Sequence, residues 1–335
     1  MSHKMIEVEH LSKVYGGTTA IEDIHFSVDE GEIIGFLGPN GAGKTTTMRI
    51  LAGYLPATTG TARIANYDVH RHSMEVRRRI GYLPEAPPLY PNMTVKGYLS
   101  FVAKIKGIRA GDRRRLVYQA MRRCQLLERE NTIIRQLSKG YRQRVGIAQA
   151  IVHEPPVIIL DEPTVGLDPR QIIEVRNLIK GLAREHTIIL STHILPEASM
   201  ICDRVTIINH GKVITSNTPR DLQTQFEDNS GYELEVAGEV TTTLALLCAV
   251  PGILTATVTE NSVVKHQGRY LLKITCAPNT ELGKDIAAIV VGQGLELYEM
   301  RRTSPSLEDV FLELTTVEPL TIDSQSTNKS SLNKG

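Results

Sequence analysis

A glycine-rich segment near residue 40 has the residue types that bind phosphate groups. Glycines let backbone N–H groups turn toward phosphate oxygens, a lysine reaches the β and γ oxygens, and a neighbouring hydroxyl can ligate Mg²⁺. The segment is Gly38, Pro39, Asn40, Gly41, Ala42, Gly43, Lys44, Thr45 and Thr46. It fits the P-loop pattern G-x-x-x-x-G-K-[ST] and stands between an apolar strand, EIIGFL, and a helix, TTTMRIL. This context favours a nucleoside triphosphate site over a simple glycine-rich turn.

Two adjacent acids follow a second apolar strand, VIIL. Asp161 lies where the open ends of parallel strands gather ligands, so it is the candidate magnesium-side acid. Glu162 can face the γ-phosphate and polarise the attacking water, a role that requires a carboxylate within hydrogen-bond reach of that water. Two solvent-exposed acids at a strand end are the alternative interpretation.

A serine and a glycine, Ser138 and Gly140, open the predicted helix QRVGIAQAIVHE. A helix N-terminus with a small capping residue can bind an anion. Taken alone, the LSKG segment indicates no more than an ordinary helix cap. Its order and spacing relative to the P-loop and the acid pair make it informative.

Together, these motifs resemble the nucleotide-binding subunit of ATP-binding-cassette (ABC) transporters over about residues 4 to 217. In that family GPNGAGKT is the Walker A motif, LSKGYRQR the signature, ILDEP the Walker B motif, TVGLD the D-loop and STH the switch histidine. The resemblance implies an α/β P-loop NTPase fold with an antiparallel β subdomain and a helical insert. It also implies ATP and Mg²⁺ as cofactors and ATP hydrolysis as the activity.

The resemblance assigns further roles residue by residue. Tyr15 would stack on adenine, although an unremarkable strand-end tyrosine is the alternative. Asp168 would organise a contact across a homodimer, and His193 would contact the γ-phosphate beside Glu162 as the second catalytic residue. In the family, the signature of one subunit, here Ser138 and Gly140, closes over the nucleotide of the other.

The sequence departs from the family pattern at GYLPE, where Glu85 replaces the usual glutamine. A carboxylate can still ligate Mg²⁺, so Thr45, Asp161 and Glu85 are the candidate metal ligands. The change adds a negative charge near the triphosphate.

Hydrophobic patterning predicts two folded units and a tail. Residues 1–219 would form the cassette, with the helical insert at about 86–155. Pro219 and the polar run QTQFEDNSG mark a break near residue 220. The pattern of residues 220–316 predicts the order strand, helix, strand, strand, helix, strand. This order is typical of a small α+β accessory domain of ferredoxin-like type. The polar tail 317–335 is predicted to be disordered.

Composition excludes several classes of protein. Hydrophobic residues at 41% and a net charge of +1 disfavour disorder, a collagen and a dedicated polyanion binder, and we expect no nucleic-acid partner. The sequence has no apolar run of membrane-spanning length and no signal peptide, which predicts a cytoplasmic chain. Four cysteines without a CxxC pair indicate neither a cysteine zinc site nor disulfides. Residues 71–123 carry 13 Lys or Arg and 3 acids, so this basic segment is predicted to face the membrane side, with a solvated helical face as the alternative.

The sequence therefore predicts an ATPase subunit, peripheral on the cytoplasmic face of the membrane, that powers export through a separate ABC-2-type permease. Glu85, the C-terminal extension and the ending SLEDVFLEL resemble cassettes of that exporter group. A cassette ATPase acting on ribosomes or DNA is the main alternative, but such relatives usually carry two cassettes or a long insertion. Only about 90 residues separate Lys44 from Ser138 here. A P-loop kinase would not need the LSKGYRQR segment.

Overall fold

The computed structural model describes residues 3–183, 185–227, 231–258, 269–277, 280–303, 311–312 and 314–315. The tail 317–335, which is predicted to be disordered, lies outside these residues, and so does most of the predicted helix SLEDVFLEL.

The described residues form strands and helices in mixed order. The strands are β1 (Lys4–Tyr15), β2 (Thr18–Asp29), β3 (Ile33–Leu37), β4 (Thr59–Ile64), β5 (Tyr67–Asp68), β6 (Ile80–Leu83), β7 (Val157–Asp161), β8 (Thr187–Thr192), β9 (Arg204–Asn209), β10 (Lys212–Asn217), β11 (Gly231–Ala237), β12 (Ile253–Val258), β13 (Arg269–Cys276) and β14 (Glu296–Thr303). The helices are α1 (Lys44–Leu51), α2 (Ser73–Arg79), α3 (Val95–Ile105), α4 (Ala110–Arg123), α5 (Lys139–Ile151), α6 (Pro169–Leu182), α7 (Leu195–Ile201), α8 (Pro219–Glu227), α9 (Val240–Cys248) and α10 (Gly283–Gly292).

A largely parallel sheet carries the predicted motifs. Its strand order is β10, β9, β3, β8, β7, β6, and β3, β7 and β8 are buried along their whole length. Strands this apolar need cover on both faces, which α helices and the second sheet provide. In the register of β7 and β8, Asp161 lies opposite Ser191. The carboxyl ends of β3, β7 and β8 therefore meet at one edge.

An antiparallel sheet of order β2, β1, β4, β5 forms the predicted β subdomain. Its apolar face shares a core with one face of the parallel sheet, where the rings of Phe26 and Phe36 lie 5.4 Å apart. The β1–β2 pairing contains register shifts, including one between Val8 and Leu11. Such bulges bend a strand and redirect side chains.

The helical segment between β6 and β7 packs on the other face of the parallel sheet. Thr94 caps α3 by accepting a hydrogen bond from the Gly97 N–H at 3.1 Å, as its sequence position predicts. Apolar residues of α3, α4 and α5 join one buried cluster with Leu83 and Leu160 of the sheet. The helices are therefore fixed to the strand that carries Asp161.

The residues from β11 to β14 form a third sheet with its own core. Its strand order is β12, β13, β11, β14, and helices α9 and α10 pack on it around Leu234, Leu272 and Val290. This order places β13 between β11 and β12, which is a split βαβ arrangement. The domain boundaries stay a prediction.

The boundary predicted near residue 220 coincides with the start of a helix that the sequence pattern did not predict. Helix α8 begins at Pro219, which fits the first turn of a helix, and Leu222 is buried in the same cluster as the helical segment. Phe311 and Leu314 pack against that cluster as well. The chain beyond β10 therefore contributes to the core under the parallel sheet.

Candidate functional site

The P-loop connects β3 to α1 with its helix N-terminus free of a side-chain cap. Gly43 has a φ of 106°, and a Cβ there would lie 2.8 Å from the Ala20 carbonyl oxygen. Gly38 is equally constrained, because a Cβ would lie 2.2 Å from the Ile208 oxygen. The motif glycines are thus required by the close approach of β2 and β9, and the first N–H groups of α1 remain available to an anion.

Lys44 is held at the centre of the loop. Its buried ammonium donates hydrogen bonds to the carbonyl oxygens of Gly38 at 2.7 Å and Pro39 at 3.2 Å. It also lies 3.4 Å from Oε1 of Glu162. A cation buried in this way needs these partners to offset its desolvation.

Asp161, Thr45 and Ser191 converge beneath the loop. Oδ1 of Asp161 accepts hydrogen bonds from Ser191 at 2.6 Å and from Thr45 at 3.2 Å. Burial raises the pKa of the Asp161 carboxyl, and the two hydrogen bonds oppose this shift. Oδ2 of Asp161 is buried and has no hydrogen-bond partner among the described residues.

Glu162 lies between the Lys44 ammonium and the His193 imidazole. Its Oε2 accepts a hydrogen bond from Nδ1 of His193 at 3.0 Å, and its backbone N–H donates to Ser191 Oγ at 2.9 Å. The residue has a φ of 49°, a strained value for a side chain other than glycine. The carboxylate is therefore oriented from both sides, by Lys44 and by His193.

Lys44, Thr45, Glu162 and His193 line one cavity of about 530 Å³, which we call the P-loop cavity. It is lined by Ala20, Asn40, Gly41, Ala42, Gly43, Lys44, Thr45, Thr46, Glu85, Glu162, Val165 and His193. Glu85, the residue that departs from the family pattern, is thus in the same cavity as Thr45. Its negative charge contributes to the raised pKa of Asp161.

The signature residues lie in a different cavity, of about 600 Å³. Ser138 caps α5 and Asp168 caps α6, and both line this cavity together with Gly140. A Cβ at Gly140 would lie 2.6 Å from the Gln171 side chain, so the backbone approaches α6 closely. The cavity shares no lining residue with the P-loop cavity.

Tyr15 ends β1 opposite Thr18 and is exposed. It does not line the P-loop cavity, and the Lys13 ammonium lies 5.1 Å from the centre of its ring. The same β hairpin nevertheless reaches the P-loop through Ala20. The stacking role of Tyr15 stays a prediction.

Ser191 is a site residue to which the sequence analysis assigned no role. It links the two acids, since its hydroxyl donates to Asp161 and accepts from the Glu162 N–H. The available signal was its place two residues before His193 at the end of an apolar strand.

The donor set suits Mg²⁺. The ion prefers oxygen ligands. The Thr45 hydroxyl and Glu85 line the cavity, and the Asp161 carboxylate accepts a hydrogen bond from that hydroxyl. The buried Oδ2 of Asp161, for which the described part of the chain offers no partner, is costly unless a cation or another donor reaches it.

Comparisons with known proteins agree with this geometry. Residues 21–165 match the ABC transporter family. The linearmycin resistance ATP-binding protein LnrL of Bacillus subtilis (strain 168) is 30% identical over 93% of this chain and 98% of its own length. The bacitracin transport ATP-binding protein BcrA of Bacillus licheniformis is 40% identical over 63% of this chain and 68% of its own length.

A solved cassette structure supports the same fold. It is a dimeric ATP-binding cassette in a post-hydrolysis state, bound to ADP and Pi, with a TM-score of 0.59 and 25% identity. The alignment covers 64% of this chain and 98% of that one. The predicted α/β P-loop fold is confirmed, and this chain belongs to the ATP-binding subunits of ABC transporters, which are ATPases.

Proposed function

We propose that this chain hydrolyses ATP to power export of a substrate through a separate ABC-2-type membrane permease. The observation that carries the proposal is the position of Glu162, which lies in the P-loop cavity between Lys44 and His193. A carboxylate held between these groups can polarise a water molecule next to a bound γ-phosphate.

In this mechanism, nucleotide binding and hydrolysis use different groups. The free N–H groups of α1 and the Lys44 ammonium bind the phosphate oxygens, and Tyr15 stacks on the base. Glu162 orients the attacking water, and His193 holds Glu162 in place. Thr45 and Asp161, with Glu85 as the further candidate, would hold Mg²⁺, which would supply positive charge next to the phosphate oxygens.

A homodimer completes each site. Ser138 and Gly140 present the N-terminus of α5 in a cavity separate from the P-loop, so they can serve the nucleotide of a second copy. Asp168, in the same cavity, would lie at the contact between the two copies. The dimeric arrangement of the related cassette supports this reading.

Export is supported by the names of the relatives. LnrL is named for linearmycin resistance and BcrA for bacitracin transport. Among the residues that the structure describes, no helix has the length and apolar character needed to cross a membrane. The proposed location is the cytoplasmic face of the membrane, against the permease.

An apolar cavity of about 470 Å³ is the candidate contact with the permease. It lies between the end of α1, β6 and α3, and its lining includes Tyr54, Tyr82 and Val102. Tyr54 and the α3 residue Ile105 are strongly exposed. Tyr54 lines this cavity and Ile105 directly precedes the lining residue Lys106 in the sequence. Exposed apolar side chains grouped in this way are typical of an interaction site.

The basic segment contributes less free charge to this side than its composition suggests. Arg79 pairs with Glu75, and Arg115 with Asp112. Arg113 donates to the Ile108 carbonyl and so holds the turn between α3 and α4. The proposed orientation of the basic segment toward the membrane therefore depends on its other Lys and Arg side chains.

Cell fractionation tests the proposal. With ATP present, we expect the Glu162→Gln chain to sediment with membranes, and a photocrosslinker at position 54 to link it to a multispan membrane protein. Tyr54→Ser combined with Ile105→Ser should release the chain from membranes without changing the ATPase rate of the isolated chain. The exposed α4 residue provides a control, Tyr118→Ser. Sedimentation with ribosomes or DNA would instead favour the alternative function.

A further inference from the structure

Two histidines and an aspartate meet on the solvent side of the antiparallel sheet, and none of them lines the P-loop cavity. His10 lies on β1, and Asp23 and His25 lie on β2. Nδ1 of His10 is 2.8 Å from Oδ1 of Asp23 and 2.9 Å from Nε2 of His25. The third side of the triangle, from Nε2 of His25 to Oδ1 of Asp23, is 3.4 Å.

The local backbone brings these side chains together. Asp23 and His25 are two residues apart on one strand, so they share a face, while Ile24 between them is buried. The register shift between Val8 and Leu11 inserts one extra residue of β1 opposite His25. His10 therefore joins the face that Asp23 and His25 present.

The arrangement is fixed before any ligand arrives. His10 and Asp23 both have a φ of 50°, and the Asp23 N–H donates to the Ser12 hydroxyl at 2.9 Å. Gly60 of β4 allows close packing here, because a Cβ there would lie 2.1 Å from the His10 oxygen. The three side chains therefore extend from a backbone that is held by β1, β2 and β4.

The triangle has the dimensions of a metal-ligand face. Ligands at about 2.0–2.1 Å from a metal are separated by about 3.3 Å in a tetrahedron and about 2.9 Å on one face of an octahedron. The observed separations of 2.8, 2.9 and 3.4 Å span these values. An ion above the face would contact all three atoms with small side-chain movements.

Hydrogen bonds alone cannot satisfy Nδ1 of His10, Nε2 of His25 and Oδ1 of Asp23 at the same time. If both imidazole nitrogens donate to the same carboxylate oxygen, their N–H groups face each other across 2.9 Å. If one nitrogen is unprotonated, it can accept from the other ring, but it then presents a lone pair toward the carboxylate. A cation accepts electron density from all three atoms at once.

We propose that His10, Asp23 and His25 bind a divalent transition-metal ion of the Zn²⁺ class. Two imidazoles and a carboxylate are ligands that Zn²⁺, Ni²⁺ and Cu²⁺ favour over Mg²⁺. Water completes the coordination, since all three side chains are exposed. The ion joins β1 to β2 and thereby stabilises the strand pair that leads to Tyr15.

Zn²⁺ titration of the full-length chain tests the proposal. The background carries Cys248→Ser, because this cysteine is exposed and could bind zinc itself, and contains no nucleotide. We expect about one high-affinity Zn²⁺ per chain by calorimetry, unaffected by excess Mg²⁺. His10→Asn and Asp23→Asn should each weaken binding at least about tenfold. Asparagine tolerates the positive φ of both positions, so these variants should fold.

The matched control is His72→Asn, at the start of α2, where asparagine is a suitable capping residue. It should bind Zn²⁺ like the parent. A second readout is the thermal midpoint, which Zn²⁺ should raise in the parent and the control but not in His10→Asn or Asp23→Asn. The proposal is wrong if the parent binds no stoichiometric Zn²⁺, or if all of these chains bind it equally.

Discussion

The Nζ atom of Lys44 and the Oε1 atom of Glu162 lie 3.4 Å apart, and both side chains are buried. Lys44 is the first residue of α1, which follows β3, and Glu162 directly follows β7. Strands β3 and β7 are separated in the sheet by β8. The parallel sheet therefore places the proposed phosphate-binding cation next to the proposed water-orienting carboxylate. Binding and hydrolysis should still be separable by substitution.

Glu162→Gln should bind ATP but hydrolyse it about 10²–10⁴-fold more slowly, because the amide retains the size of the side chain and loses the basic oxygen. With MgATP, this variant should accumulate as a dimer in gel filtration. The control is Glu197→Gln, which replaces another buried acid, one that accepts a hydrogen bond from Thr164. Near-parental turnover of Glu162→Gln would remove Glu162 from its proposed role.

Ser191→Ala should impair both stability and activity. The change leaves Asp161 with one hydrogen bond fewer and the Glu162 N–H without its acceptor, which should cost about 1–3 kcal/mol of unfolding free energy. ATPase assays and chemical denaturation measure the two effects. Ser199→Ala removes a hydroxyl that donates to the Leu195 carbonyl of its own helix, and it should leave the ATPase rate unchanged. Parental activity in Ser191→Ala would show that the link between the acids is dispensable.

His153 predicts an acid-sensitive fold. Burial, and secondarily the charge of Lys106, lowers the pKa of its imidazole to about 3. Its Nε2–H donates to the Ile80 carbonyl at 2.9 Å, and its Nδ1 is buried without a described partner. In the unfolded chain, the His153 imidazole binds a proton below a pH of about 6.5, whereas in the folded chain it binds one only below about pH 3. The free energy of unfolding therefore falls as the pH is lowered from about 6.5 to about 3.

This single group should reduce the unfolding free energy by about 2 kcal/mol at pH 5 relative to neutral pH. Urea denaturation at pH 5 and pH 7.5 measures the difference. His153→Gln should show a smaller loss on acidification, while His72→Asn should behave like the parent. An identical pH dependence in parent and His153→Gln would contradict the assignment.

The sequence could predict those parts of the site that consist of contiguous residues. The P-loop, the Asp161–Glu162 pair and the Ser138 cap each occupy one boundary between a strand or loop and a helix or turn, so local spacing and residue type were sufficient. The helix α8 was missed because its polar run disguised a buried position, Leu222.

Relationships between distant segments could not be predicted in this way. Ser191 contacts Asp161 because β7 and β8 pair in one register, and nothing in either strand alone specifies that register. The grouping of His10, Asp23 and His25 depends on the bulge in β1. Without this bulge, His10 would pair with a different residue of β2 or lie on the other face of the sheet. Both features come from strand pairing, which local residue patterns do not encode.

The sharing of each ATP site between two chains is the central claim, and mixing two inactive variants tests it most directly. Lys44→Ala should abolish nucleotide binding, and Ser138→Arg should block the signature while leaving the P-loop of the same chain intact. An equal mixture forms mixed dimers with one intact composite site, so it should recover about a quarter of the parental ATPase rate if dimers assort randomly. As a control, the parent is mixed equally with a chain that carries both substitutions. The rate should fall to about a quarter of the parental rate rather than to about half, because the mixed dimers contain no intact site and only the parent homodimers hydrolyse ATP. No recovery from folded, dimeric variants in the mixture would contradict the account.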